Sequence, residues 1–267
     1  MSRLLSLAIL VLVAGSAAAK GWPTPAAGES ASGDPEILFT FDDGPNPTTT
    51  PKVLDELKKH GIHAVFFMVG EMAGSENKKV PAIVKRILDE GHVLASHTMK
   101  HHDLCRLKSE EAAAADIDDG IAAIEAVAKV KLAWFRAPYG VRCDRLEKLL
   151  AARGLQHFHW DLDPQEWKHN DAQKTTSYVT GSLARSSSRN VLLVHDIKKA
   201  TVTSLPQILE WIDTENKSRR EAGKRPIRIL QAPAYAAEQL PEGLAAWSID
   251  AKTRVVGFRA ALASVLP

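Results

Sequence analysis

The chain has 267 residues, with 34 lysines and arginines against 32 aspartates and glutamates and a formal net charge of +2. That length holds one large domain with a full core. The near-neutral balance excludes a nucleic-acid binder that relies on a basic field and fits a neutral or mixed-charge substrate.

Residues 1–19 read as a secretory signal peptide. Met1-Ser2-Arg3 is a short positive start, 4–13 is apolar, and Gly15-Ser16-Ala17-Ala18-Ala19 ends in small residues before Lys20. The apolar stretch is too short for a membrane span, and no second long one follows. The expectation is an exported protein, periplasmic or secreted, with no stable membrane insertion after cleavage. Residues 20–35, rich in Pro, Ala, Gly and Ser, read as a flexible leader.

Apolar runs and amphipathic segments then alternate. Strands are predicted at 37–41, 64–69, 92–96, 134–137, 157–161, 191–194 and 227–230. Helices are predicted at 50–60, 79–90, 109–127, 144–153, 172–185 and 204–222. The clearest helical stripe is Val80, Ile83, Val84, Ile87 and Leu88. Gly61, Gly91 and Gly154 stop the helices before them. Alternation of this kind with continuous apolar strands implies parallel strands buried on both faces. The fold class is α/β: a distorted, incomplete (β/α) barrel of about seven parallel strands, with a doubly wound open sheet as the alternative. Either places the site at the carboxyl ends of the strands. Residues 231–267 are less periodic and read as a C-terminal extension packed on the barrel, with 247–250 and 255–258 as a small hairpin.

The polar residues at the strand ends carry the chemistry. Asp42-Asp43-Gly44-Pro45 follows the first strand. Two adjacent carboxylates repel and are costly to desolvate. They read either as a turn or as a metal-binding pair, one ligating and one free as a base. His97 and His101 follow the third strand, four residues apart. With one aspartate, two imidazoles make a donor set that suits zinc with positions left for water and substrate. Arg136 precedes Ala137-Pro138-Tyr139-Gly140. An arginine there can pair with a carboxylate, and the Tyr139 amide can face an oxyanion. After the fifth strand, Asp161 or Asp163 can orient a histidine and Trp167 can wall a sugar ring, while Trp160 suits core packing. His195 ends the sixth strand, where an imidazole near neutrality suits acid catalysis. Cys105 and Cys143 are the two cysteines. An exported protein lives where disulfides persist, but spacing leaves their pairing open.

The ordered set resembles the polysaccharide deacetylase family, carbohydrate esterase family four, over about 36–230, the catalytic domain. Thr40-Phe41-Asp42-Asp43-Gly44-Pro45-Asn46-Pro47 is similar to its first motif, His97-Thr98-Met99-Lys100-His101 to its second, Arg136-Ala137-Pro138-Tyr139 to its third and Leu193-Val194-His195 to its fifth. The resemblance implies a metal-dependent hydrolase that removes N-acetyl groups from amino sugars of a polysaccharide: a chitin-like oligomer, peptidoglycan or exopolysaccharide. Asp43, His97 and His101 would hold a divalent metal, usually zinc. Asp42 would be the base, Arg136 would tune it, and His195 would be the acid. Tyr139, Trp167 and Leu193 would bind substrate. The fourth motif departs from the usual pattern, because Glu166 stands where an aspartate commonly precedes the tryptophan. Asp163 is the expected partner of His195, with Asp161 second. A glycan is the expected partner and the protein a monomer. The rival readings are an O-acetyl esterase on a glycan such as acetylated xylan, and a glycan-binding protein without catalysis.

Overall fold

The computed structural model describes residues 33–238. The signal peptide, most of the leader and the hairpin expected in the C-terminal extension lie outside the described residues. Seven strands alternate with helices: β1 (Glu36–Asp42), β2 (Val65–Met68), β3 (Val93–Ser96), β4 (Trp134–Phe135), β5 (Gln156–His157), β6 (Arg189–His195) and β7 (Arg228–Ile229). All pair in parallel, in the order β5-β4-β3-β2-β1-β6, with β7 beside the start of β1. This is the incomplete (β/α) barrel expected from the alternation, and not the open sheet.

The period of β1 explains the layering. Ile37, Phe39 and Phe41 join a large cluster with α1 (Thr50–Lys59), α3 (Val80–Asp89), α7 (Ala172–Arg185) and α8 (Lys199–Glu221). Leu38 points the other way, into a second cluster with Val65, Phe67, Ala95, Trp134, Phe158 and Val191. Alternate residues of a strand face opposite sides, so the first cluster lies under the helices and the second fills the barrel. Asp42 follows Leu38 and Thr40 on the inner face and emerges at its carboxyl rim.

Two expected elements differ, and three short ones are new. The fifth strand was expected over 157–161, but only Gln156–His157 pairs with β4. Beyond Phe158 the chain crosses to β6, where Leu162 bridges Leu192 and closes the gap in the ring. Hydrogen bonding to a new neighbour overrides the strand pattern. Helix α8 begins at Lys199 rather than 204 and carries Pro206 inside it, its first turn held by burial of Ala200 and Thr201. Three short helices lacked a periodic signal: α2 (Gly70–Ala73), a 3-10 turn (Pro138–Gly140) and α6 (Glu166–His169). The start of the extension forms α9 (Ala232–Glu238), whose Ala232 and Tyr235 pack against the barrel interior.

Two longer elements position loops at the rim. Helix α4 (Glu110–Ala128), capped by Ser109, lies behind the loop after β3. Helix α5 (Asp144–Ala152) follows Cys143, which forms a disulfide with Cys105, with a Cα–Cα distance of 6.0 Å. The pairing left open by the sequence thus ties the loop after His101 to the loop after Tyr139.

Candidate active site

A cavity of about 430 Å³ opens at the carboxyl rim, lined by residues that include Asp42, Asp43, His97, His101, Tyr139 and His195. The strand-end residues picked out by sequence meet here, delivered by β1, β3, β4 and β6.

Asp43, His97 and His101 each offer a donor atom, all within 4.8 Å of one another. His97 Nε2 lies 3.6 Å and His101 Nε2 3.4 Å from Asp43 Oδ1. Bonds of about 2.0–2.1 Å at tetrahedral angles separate donors by about 3.3 Å, so the three fit one ion better than they fit hydrogen bonds to one another. Asp43 Oδ1 is buried with no hydrogen-bond partner among the described residues, which leaves a lone pair for a cation. The His97 Nδ1 atom is 2.7 Å from the Arg136 carbonyl, which fixes the ring with Nε2 toward the group. Burial pushes the His97 imidazole down to about 3, keeping it neutral as a ligand must be.

The backbone of these loops is unusual. Asp43, Thr98, His101 and Tyr139 all have left-handed φ values of 74°, 69°, 58° and 60°, and such residues persist where surroundings over-determine them. The surroundings are visible. His101 N–H donates to Thr98 Oγ1 at 2.8 Å, and Asp116 of α4 accepts from Lys100 N–H at 2.9 Å. A Cβ on Gly120 of α4 would fall 2.5 Å from the Thr98 carbonyl carbon, so only glycine lets the helix back the histidine loop this closely.

Beside the donor set, Asp42 is 2 % exposed and Arg136 fully buried. Arg136 Nη1 donates to Asp42 Oδ1 at 2.7 Å and to Thr40 Oγ1 at 2.8 Å, while Nη2 donates to the His159 carbonyl at 3.0 Å. Its guanidinium carbon lies 4.0 Å from the centre of the Phe67 ring. Burial raises the Asp42 pKa, and the Arg136 charge opposes the rise. The pairing leaves Asp42 Oδ2 on the side of the donor set, 3.7 Å from His97 Nε2.

His195 faces this group from β6, with Nε2 3.9 Å from Asp43 Oδ2. Its partner corrects the expectation. Glu166, fully buried, lies with Oε1 2.8 Å from His195 Nδ1 and accepts from the His195 backbone N–H at the same distance. Asp163 instead accepts from Gln165 N–H at 2.8 Å, and Asp161 from Val191 N–H at 2.7 Å. The reason is local. Gln165 takes a left-handed turn that starts α6 and folds Glu166 inward, while Asp163 is spent bracing that turn. The sequence signal was the carboxylate just before Trp167, where the family pattern has an aspartate. Burial lowers the His195 pKa, but the Glu166 hydrogen bond and charge, with Asp43 and Asp42, win and push it up to about 9. Around the cavity stand Leu193, Ala137, Trp160, Asp163, Lys198 and Trp167. Trp167 and Tyr139 are exposed large aromatics. Trp160, expected in the core, also packs on the barrel cluster.

The sequence pattern of the polysaccharide deacetylase family matches residues 29–158. Over 167 residues the chain is 34% identical to a chitooligosaccharide deacetylase of Sinorhizobium fredii, covering 62% of this chain and 74% of that relative. The chain belongs to the polysaccharide deacetylase family. It is an enzyme of that deacetylase class. Another relative, a peptidoglycan-N-acetylglucosamine deacetylase of Bacillus cereus, is 33% identical over 67% of this chain and 64% of its own length. Among solved structures, the T48 deacetylase with substrate superposes with a TM-score of 0.65 at 30% identity, over 78% of this chain and 94% of the other. A family 4 carbohydrate esterase from Streptomyces lividans in complex with acetate gives 0.60 at 26% identity, over 68% and 89%. Among the described residues of this deacetylase, no helix is long and apolar enough to cross a membrane.

Proposed function

We propose that the protein is a zinc-dependent hydrolase that removes N-acetyl groups from amino sugars of a glycan, either a chitin-like oligomer, peptidoglycan or an exopolysaccharide. One observation carries this reading. A three-donor group (Asp43, His97, His101) shares one cavity with an arginine-held carboxylate, Asp42, and a carboxylate-held imidazole, His195.

Asp43, His97 and His101 would hold the metal, and two nitrogens with one oxygen suit zinc. When bound, it supplies Lewis-acid polarisation of the acetyl carbonyl and lowers the pKa of water. The remaining work falls to the protein. Arg136 orients Asp42, whose free Oδ2 takes a proton as water attacks the carbonyl carbon. The Tyr139 N–H stabilises the negative charge that develops on the carbonyl oxygen. His195, charged below about 9, gives its Nε2 proton to the sugar nitrogen as the C–N bond breaks, releasing acetate and a free amine. Leu193 borders the acetyl methyl, and Trp167 and Tyr139 offer aromatic faces to the sugar rings.

A carboxylate-held imidazole facing the donor set supports an amide substrate, because an amine must be protonated to leave. The test is acetate release from N-acetylglucosamine oligomers, peptidoglycan and acetylated xylan, with and without chelator. Metal-dependent release from an N-acetylated glycan is expected, and release from xylan alone would replace the amide reading with the ester one. Asp43→Ala is expected to lose metal, and Asp42→Asn to retain metal and lose turnover. Equal zinc binding by both would overturn this division of roles.

A further inference from the structure

Asp196 follows the acid His195, yet no step above uses it. It is fully buried, and burial, opposed by a hydrogen bond, pushes its pKa up to about 7. Its contacts all lead to one loop. Thr50 Oγ1, at the start of α1, donates to Asp196 Oδ2. The same hydroxyl oxygen accepts from Asn46 N–H at 2.7 Å. Asn46 Oδ1 in turn accepts from Thr48 N–H at 2.8 Å and Thr49 N–H at 3.1 Å. The carboxyl group also lies flat against Gly44: a Cβ there would fall 2.5 Å from Asp196 Oδ1 and 2.7 Å from its Cγ. Gly44 is the residue after Asp43, and its carbonyl accepts from Val69 N–H at 3.2 Å. Asp43 thus sits in a left-handed conformation at the head of a loop that Asp196, the residue after β6, touches at Gly44 and at Thr50.

We propose that Asp196 is a positioning residue: through Thr50 and the face of Gly44 it fixes the loop that aims Asp43 at the metal. This rests on the metal-site reading above. A single side chain from the turn after β6 then sets the Asp43 carboxylate relative to His97 and His101, which come from a separate loop. A buried polar group kept for such a purpose costs free energy unless it is paired, and Asp196 Oδ1 has no hydrogen-bond partner among the described residues. Loss of an outer partner of a metal ligand typically costs about 10–100-fold in affinity.

The test compares zinc affinity, by competition with a chromogenic chelator, in the parent, Thr50→Val, Thr50→Ser and Asp196→Ala. Thermal melting of each metal-free protein reports on the fold. Thr50→Val and Asp196→Ala are expected to weaken zinc binding by about 10–100-fold, and Thr50→Ser, which keeps the hydroxyl, to bind like the parent. Lower melting with unchanged zinc affinity would assign Asp196 to the fold alone and overturn the proposal. Where Asp196→Ala fails to fold, the contrast between Val and Ser at position 50 decides. A parent that binds no zinc would overturn the metal reading itself, and this role with it.

Discussion

Replacing Glu166 by glutamine isolates the charge that keeps His195 protonated. The shape remains, and the amide oxygen can still accept from the His195 backbone N–H and Nδ1–H, both now 2.8 Å from Glu166 Oε1. With Glu166 ionised, the imidazole moves from 6.5 to about 9 against the opposing effect of burial. That rise corresponds to about 3 kcal/mol of preference for the charged ring. Without the charge, burial opposes only the weaker pull of Asp43 and Asp42, and the pKa falls. A fall as far as the free-imidazole value of about 6.5 would cut the protonated fraction about tenfold at pH 7.5 and by less than about twofold at pH 6. Glu166→Gln should therefore lose about tenfold in kcat/KM at pH 7.5 and less than about twofold at pH 6. Its alkaline limb should move from about 9 to lower pH. Stability follows the same sign. A raised histidine pKa contributes stability that is fully present below the unfolded value of about 6.5 and is lost as pH rises through about 9. The parent should lose melting temperature over that interval more steeply than the variant. The assay is acetate release from N-acetylglucosamine oligomers across the pH range. An alkaline limb that stays at its parental position in Glu166→Gln would refute the assignment of Glu166 as the partner that charges His195.

Arg136→Met should raise the Asp42 pKa further, because the guanidinium is what offsets burial. The acidic limb of kcat/KM should move to higher pH, and urea unfolding should show a loss of about 3–5 kcal/mol from the uncompensated buried charge. The Cys105→Ser/Cys143→Ser double variant releases a link between residues 38 apart in sequence. Chain-entropy arguments put the loss at about 4 kcal/mol, to be read from melting of the parent and the double variant in oxidising buffer. Gly120→Ala places a methyl against the Thr98 backbone. It should cost about 1–3 kcal/mol as overpacking and weaken zinc binding by displacing the histidine loop, measured by chelator competition.

Much of this arrangement was legible in the sequence because parallel strands deliver their last residues to one rim. Once the strands are read to end at Phe41, Ser96, Ala137 and Val194, Asp42, His97, Arg136 and His195 fall at one rim. What was hidden depends on backbone that has no period. The choice of Glu166 over Asp163 turns on one left-handed residue, Gln165. The crossing of 158–162 to β6 depends on which edge lies open, and the pairing of Cys105 with Cys143 on two loops meeting. The roles of Asp116, Thr50 and Asp196 were also hidden, because they hold backbone in place and leave no motif of their own.

Arg136 serves two masters at once. Its carbonyl lies against Nδ1 of His97, and its side chain holds the carboxylate of Asp42. One residue therefore acts as a ruler between the proton acceptor and the donor set, and neither can drift without the other. Other residues lining the cavity, Trp167, Lys198 and Asp163, come from other segments of the chain. Selection can rework those segments toward a new polysaccharide while the spacing at the acetyl group stays fixed. Diversification in such a fold is expected in the outer segments of the cavity and not at the reacting atoms.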